Sequence, residues 1–262
     1  MKKISKIYMS LLLMFLYVPI FVLIVFSFNT TKSRTVFEGF TFDWYIRLFQ
    51  NELILSSLWN TIMISISAAT ISTILGTAAA IGINKMRKLP KAIVMNINNF
   101  PIINPEIVTG VSLMLLFVFF AARMNFNFGF GTLLIAHITF DVPYVILNVM
   151  PKFRQMNPNL YEAAQDLGCN PFSAFFKVVL PEIMPGIVSG FLMAFTFSLD
   201  DFIISYFTSG ATSQTLPITI YSMTRRKVSP EINALSTIIF LVVVIVLIVK
   251  NVLENRRKED RV

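Results

Sequence analysis

Histidine and cysteine are nearly absent from this 262-residue sequence, which contains one of each, His137 and Cys169. A single cysteine excludes an intramolecular disulfide and a zinc site built from several thiolates. One histidine within an apolar segment more often packs or forms hydrogen bonds than binds a metal, because one imidazole rarely suffices for a metal site. We therefore expect a hydrogen-bonded His137, and the sequence gives no support to a metalloenzyme.

A nucleotide-binding loop is also missing. The pattern G-x-x-x-x-G-K-[ST] does not occur, and none of the ten glycines precedes a lysine. That pattern is needed because its backbone N–H groups and its lysine hold the nucleotide phosphates. We therefore predict no ATPase activity, no catalytic residue and no cofactor in this chain.

Charged residues are scarce, at 14% of the sequence, whereas hydrophobic residues make up 55%. The charges gather in short clusters between apolar stretches about as long as the roughly 20 residues that cross a bilayer as a helix. The pattern predicts an all-α integral membrane protein with six transmembrane helices. The predicted segments are 7–28, 57–83, 104–122, 129–150, 178–206 and 230–252.

The positive charges predict the orientation of these segments. With both termini in the cytoplasm, fifteen of the 22 Lys and Arg residues lie inside and seven outside. This bias follows the rule that cytoplasmic loops are enriched in Lys and Arg, although the external cluster Arg225-Arg226-Lys227 departs from it. The net charge of +8 suits anionic lipid headgroups and requires no nucleic acid as a partner.

One connection, within 157–177, resembles a short surface helix rather than a loop. Asn157 is a residue suited to cap it, Pro158 suits its first turn, and Gly168 is the left-handed stop that often ends helices. A second helix is predicted to start at Asn170-Pro171. Apolar residues also recur at helical spacing on one stripe: Leu160, Ala163, Ala164 and Leu167.

The same stretch resembles the signature EAA-x3-G-x9-I-x-L-P of ABC-importer permeases, with Val178 in place of Ile as the one departure. Two alanines permit close approach of a partner surface, and a carboxylate offers it a charged contact. The resemblance implies that this segment is a coupling helix, which docks on a cytoplasmic ATPase and transmits its closure to the membrane helices. The motif residues are Glu162, Ala163, Ala164, Gly168, Leu180 and Pro181.

Further stretches are similar to spermidine/putrescine importer permeases of the PotC type. They are 104–110, 137–140, 198–202, 215–217 and 229–234. This resemblance implies one type I permease domain over 1–262 in a bacterial plasma membrane, with core helices in 57–252. It also implies a homologous permease subunit, an ATPase dimer that binds ATP and Mg, and an external polyamine-binding protein.

Four acidic residues within the predicted segments are candidates for a substrate path, because intramembrane charges usually face an aqueous route or a bundle interior. Acidic walls suit a polyammonium cation and oppose an anion. Structural and substrate roles remain equally open for Glu106, expected near an inner end, and for Asp141. Because Asp200 and Asp201 would point about 100° apart on one helix, we expect one to face the path and the other to cap or pair.

Three other functions are alternatives to a polyamine importer. A passive cation channel would also use intramembrane acids, but it has no use for the coupling motif. A membrane-embedded enzyme would need clustered ligands or a nucleophile with a base. An importer for another cation or for iron stays open, because a separate binding protein sets much of the specificity.

Overall fold

The computed structural model describes residues 2–33, 35–157, 159–226 and 230–259. Within these ranges the chain is helical, and its one β-interaction is an isolated bridge between Asn29 and Phe40. The all-α prediction is therefore confirmed. The helices are α1 (Lys2–Phe26), α2 (Asp43–Gln50), α3 (Glu52–Lys85), α4 (Lys88–Ile103), α5 (Glu106–Met124), α6 (Phe130–Gln155), α7 (Leu160–Asp166), α8 (Pro171–Ala174), α9 (Leu180–Asp200), α10 (Ile203–Thr208), α11 (Leu216–Arg226) and α12 (Pro230–Glu259).

Five stretches in the described part are long and apolar enough to cross a membrane. They are Tyr8–Phe26, Glu52–Lys85, Glu106–Met124, Phe130–Gln155 and Pro171–Asp200. The sixth predicted segment coincides with α12, which is an apolar helix over Pro230–Val242. The helices at all six predicted places agree with the fold class, and the count of six spans is supported approximately.

Helix α4 was not predicted, because the sequence suggested a cytoplasmic loop between the second and third segments. Three asparagines interrupt its apolar pattern: Asn96, Asn98 and Asn99. One of these asparagines nevertheless has a partner in the fold, because Asn98 Nδ2 donates a hydrogen bond to the backbone oxygen of Pro143 in α6 at 3.4 Å. This contact helps α4 to pack against α6. Helices α2, α10 and α11 were likewise missed, because all are short.

The fifth predicted segment, 178–206, is wrong at both ends. Helical structure begins earlier, at Pro171 in α8, and continues through a π-helical turn over Phe175–Val179 into α9. It stops at Asp200, because Asp201 adopts an extended backbone with φ −60° and ψ 125°. A π turn therefore lies directly before Leu180 and Pro181, and π turns are often found at functional sites.

The chain forms two compact units, Met1–Leu55 with Ile220–Val262, and Ser56–Thr219. In the first unit, α12 contacts both α1 and α2. Trp44 anchors α2 there, since its buried indole Nε1 donates a hydrogen bond to the Asn29 backbone oxygen at 2.6 Å. Phe28 stacks on Phe40 nearby, with ring centroids 5.0 Å apart.

The second unit is built around the contact between α6 and α9. Small residues on α9 form the buried face that permits this contact: Gly186, Gly190, Ala194 and Ser198. A Cβ atom on Gly186 would lie 2.7 Å from Lys152 Cγ and 2.8 Å from the Asn148 backbone oxygen. The small residues of α9 thus form a helix-packing face within the subunit.

Candidate functional site

A buried polar cluster joins α6 to the end of α9 and to α10. His137 is 1% exposed. Its Nδ1 lies 2.6 Å from Ser198 Oγ, and its Nε2 lies 2.9 Å from Ser205 Oγ. Both ring nitrogens are therefore within hydrogen-bonding distance of a hydroxyl group, which confirms the expectation that His137 is a hydrogen-bonded core residue.

Asp201 belongs to the same cluster and caps α10. Its Oδ1 accepts a hydrogen bond from the Ile204 backbone N–H at 3.2 Å, and its Oδ2 accepts one from Ser205 N–H at 2.7 Å. The same Oδ2 lies 3.6 Å from His137 Nε2. The preceding residue, Asp200, is exposed. The expectation that both acids lie on one helix is wrong because the helix ends between them, but the capping role expected for one of them is confirmed.

Asp141 lies in α6, one turn after His137, and its side chain is completely buried. Neither of its carboxylate oxygens receives a hydrogen bond from a residue that the structure describes. It interacts electrostatically with Asp201. Burying a carboxylate without a partner is costly, so helix packing alone does not explain an aspartate at this position.

Glu106 occupies the first turn of α5, directly after the break at Asn104-Pro105. The prediction that it lies near an inner end is wrong, because α4 precedes it and already reaches Pro143, at mid-length of α6. Glu106 is exposed and interacts electrostatically with the Tyr144 hydroxyl. Among the predicted path residues, the two acids with exposed side chains are therefore Glu106 and Asp200.

An aromatic group lies on α6 and α9 close to these acids. The Tyr144 ring packs edge-on against Phe197 at 4.6 Å and against Phe140 at 5.2 Å between centroids. Aromatic faces attract cations, most strongly where water is excluded. The combination of carboxylates and aromatic rings is suited to an organic ammonium group.

A polar face continues along α9. At 100° per residue, its exposed polar positions fall within about 40° of one another around the helix. They are Glu182, Ser189, Thr196 and Asp200. Beside them on α6, Asn148 accepts a hydrogen bond from Ser189 Oγ at 2.9 Å and donates to the Tyr144 backbone oxygen at 2.8 Å. Exposed polar groups at this depth are unsuited to lipid and indicate an aqueous or protein-facing side.

The sequence analysis missed Tyr144, Asn148 and Ser189 because it searched the segments for charges. Spacing would have revealed part of this face, since Tyr144 and Asn148 are four residues apart in α6. Neither residue type alone is unusual in a membrane helix. Their alignment with Ser189 depends on how α6 packs against α9, which periodicity does not determine.

The predicted coupling segment folds as a helical hairpin. Helix α7 exposes Glu162 and Ala163 and buries Ala164. Gly168 has a φ of +86°, which confirms the left-handed stop. Asn170 Oδ1 accepts a hydrogen bond from Ser173 N–H at 2.7 Å, which confirms the second helix start. Leu180 and Pro181 begin α9, and the π turn connects them to this hairpin.

Two details of that segment were predicted wrongly. Asn157 does not cap α7, since its Oδ1 accepts from the backbone N–H of Asn159, and Asn159 itself precedes the helix without a side-chain cap. The apolar stripe is also not uniformly buried, because Leu167 is 87% exposed. Pro158 and Lys227, which the sequence analysis used, lie outside the described residues.

In the described ranges, no three His, Cys, Asp or Glu side chains come together in a group able to hold a metal ion. The apolar helices, the broken helix ends and the polar face together define a multi-spanning membrane transport subunit.

Comparison with known proteins identifies its family. Residues 72–258 match the sequence profile of the binding-protein-dependent transport system inner membrane component. The chain belongs to this family of membrane permeases. The resemblance seen in the coupling motif is thereby confirmed over most of the sequence.

Two relatives cover nearly the whole chain. The putrescine transport system permease protein PotI of Escherichia coli strain K12 is 38% identical over 256 residues, which cover 95% of this chain and 89% of the relative. The spermidine/putrescine transport system permease protein PotC of Haemophilus influenzae is 36% identical over 250 residues, which cover 95% of each chain.

A solved structure shares the fold. The crystal structure of a bacterial alginate ABC transporter, in complex with an alginate pentasaccharide-bound periplasmic protein, contains a chain that aligns with a TM-score of 0.72. The alignment covers 95% of this chain and 93% of that one at 19% identity. The comparison shows that the two chains share the type I importer permease fold.

Proposed function

We propose that this chain is the permease subunit of an ATP-driven importer that moves polyamines, such as spermidine and putrescine, into the cytoplasm. The observation that carries the proposal is the pair of exposed carboxylates, Glu106 and Asp200, of which Glu106 interacts electrostatically with the Tyr144 hydroxyl. The names of the PotI and PotC relatives agree with the same substrate class. The chain itself provides a route and performs no covalent chemistry.

Polyamine passage requires negative groups that are accessible and spaced along a path. Glu106 and Asp200 meet the first condition because both are exposed. In the proposed path these two carboxylates receive ammonium groups, and the Tyr144 ring flanks them through cation–π attraction. Asp141 and Asp201 lie behind this face, and they act on the passing charge from the buried cluster rather than by direct contact.

Energy for transport comes from another polypeptide in this proposal. A cytoplasmic ATPase dimer binds ATP and Mg, and α7 docks on it through Glu162 and Ala163. The exposed position of both residues supports this assignment. Ala164 and Gly168 shape the hairpin, and Leu180-Pro181 transmits its movement into α9 through the adjoining π turn.

The remaining partners complete an alternating-access cycle. A homologous permease subunit lines the other side of the path, and an extracytoplasmic binding protein delivers the polyamine. Both termini of this chain face the cytoplasm of the bacterial cell, in agreement with the distribution of Lys and Arg. ATP binding opens the path toward the binding protein, and hydrolysis resets the two permeases.

Transport in liposomes tests the substrate. The purified permease pair, ATPase and binding protein are reconstituted, and uptake of labelled putrescine is measured with and without ATP. We expect ATP-dependent uptake that excess spermidine suppresses and that ferric iron or sulfate does not. Equal uptake without ATP would indicate a cation channel, and suppression by iron alone would indicate a metal importer.

A further inference from the structure

A cavity lies beside the coupling hairpin, at the end of the membrane helices. It has a volume of about 790 Å³ and is bounded by the last turns of α3 and α6, by α7, and by the segment from α8 through the π turn. Its volume is in the range of about 300 to 1,000 Å³ typical of small-molecule sites. The path acids Glu106, Asp141, Asp200 and Asp201 do not line it, so it is distinct from the proposed substrate route.

The walls of this cavity are mainly aromatic and apolar. Phe153 and Val179 close its inner side and are buried. Phe172 and Phe176 form the outer side, with ring centroids 4.5 Å apart, and are 73% and 47% exposed. An aromatic cavity left open in this way is suited to a hydrocarbon chain.

One end of the cavity is polar and positive. Asn84 and Lys85, at the end of α3, are the polar groups from that helix. Lys91 Nζ donates a hydrogen bond to Asn84 Oδ1 at 3.2 Å, which brings a second ammonium group to this end. Among the residues that the structure describes, no carboxylate lines the cavity, so the charges there favour an anion and repel an ammonium substrate.

The position of the cavity relative to the bilayer indicates that its ligand is a lipid. Helix α3 has 34 residues, a length of about 51 Å at 1.5 Å per residue, whereas the hydrocarbon core of a bilayer is about 30 Å thick. The helix is thus long enough to extend past the hydrocarbon core, and the charges of Lys85, Arg87 and Lys88 place this end at headgroup level, because charged side chains are costly in hydrocarbon. An amphiphile with an apolar body and an anionic head is present there in quantity.

We propose that this cavity binds an anionic phospholipid, with an acyl chain between the aromatic rings and the phosphate at Lys85 and Lys91. The lipid contacts the π turn that joins the coupling hairpin to α9. Its occupancy therefore stiffens the connection through which the ATPase moves the membrane helices. The effect on coupling rests on the proposed function, whereas the binding of the lipid depends only on the position of this end at the headgroup level.

Photolabelling tests the site in the complete transporter. The complex is placed in nanodiscs of phosphatidylcholine that contain phosphatidylglycerol with a photoreactive acyl chain, and labelled peptides are mapped. We expect label on the peptide that contains Phe172 and Phe176. Substituting Lys85→Gln and Lys91→Gln should reduce this label about fivefold for each lysine removed, and Ile81→Trp, which narrows the cavity, should reduce it without a change of charge.

Lys88→Gln is the matched control, because it removes the same charge from the same surface without touching the cavity lining. Equal loss of label in this control and in the Lys85 and Lys91 variants would overturn the proposal. Equal labelling by photoreactive phosphatidylcholine would also overturn it, because no charge would then be recognised. Label that appears on the permease pair alone and vanishes in the complete transporter would show that the ATPase covers the cavity instead.

Discussion

Asp201 accepts a backbone hydrogen bond from Ser205 at 2.7 Å, and this contact starts α10 directly after α9 has ended. The side chain of Asp200, one residue earlier, is exposed instead. Two adjacent carboxylates of identical chemistry therefore have different structural environments. The difference allows the structural role of one to be separated experimentally from the substrate role proposed for the other.

Replacing Asp201 with alanine should destabilise the protein. The substitution removes the acceptor for two backbone N–H groups, and losing a helix cap costs about 1 to 2 kcal/mol. Thermal unfolding of the purified permease pair in detergent measures the change. Asp201→Asn keeps one side-chain oxygen and should lose less. An unchanged unfolding midpoint for Asp201→Ala would contradict the capping role.

Replacing Asp200 with asparagine should instead lower transport without lowering stability. Its carboxylate is exposed and does not share the two capping contacts of Asp201, whereas one charge-assisted contact to an ammonium group is worth about 1.5 kcal/mol or more. We expect uptake of labelled spermidine to fall roughly tenfold while the unfolding midpoint stays constant. Wild-type uptake in this variant would remove Asp200 from the proposed path.

The turn after the coupling helix should depend on Gly168. Its φ of +86° is strained for any residue with a Cβ, so Gly168→Ala should cost about 1 to 2 kcal/mol and shift the hairpin. Co-purification of the ATPase with the permease pair should decrease as a result. Gly82→Ala is the control, because that helical glycine has open space around its Cβ position, and it should leave co-purification unchanged.

The α6–α9 contact should be sensitive to a single methyl group. Gly186→Ala would place a Cβ atom 2.7 Å from Lys152 Cγ and 2.8 Å from the Asn148 backbone oxygen. The backbone cannot yield as a flexible side chain does, so we expect destabilisation of about 1 to 3 kcal/mol by overpacking. Unfolding in detergent measures it. Gly131→Ala, which meets no atom within 4 Å, should be neutral, and equal effects of both changes would contradict the packing described.

The sequence predicted the helical class and the places of the main membrane segments, because long apolar stretches leave few alternatives in a bilayer. It did not predict α4, since Asn98 makes that segment resemble a solvated loop until its contact with Pro143 is known. Nor did it locate the break after Asp200, because the apolar pattern continues through Phe202 and Ile203 without a change of period.

The candidate site was predictable in its residue types and less so in its geometry. The coupling motif was recognisable because its spacing is local and fixed along one hairpin. The acids were found as intramembrane charges, yet which of them face outward depends on the packing of α5, α6 and α9. Tyr144 and Asn148 were missed for the same reason, since only tertiary contacts bring these neutral residues beside Glu106 and Ser189.

Uptake driven by ATP, measured together with Glu162→Lys, tests the central claim most directly. Reconstituted complexes with and without this substitution are assayed for labelled spermidine uptake and for the amount of ATPase that remains bound. The account predicts ATP-dependent uptake by the wild type, and loss of both uptake and bound ATPase in the variant, because a lysine reverses the charge offered by α7. Full ATP-driven uptake by the variant with its ATPase still bound would contradict the coupling role of Glu162, and uptake by the wild type without ATP would contradict the importer itself.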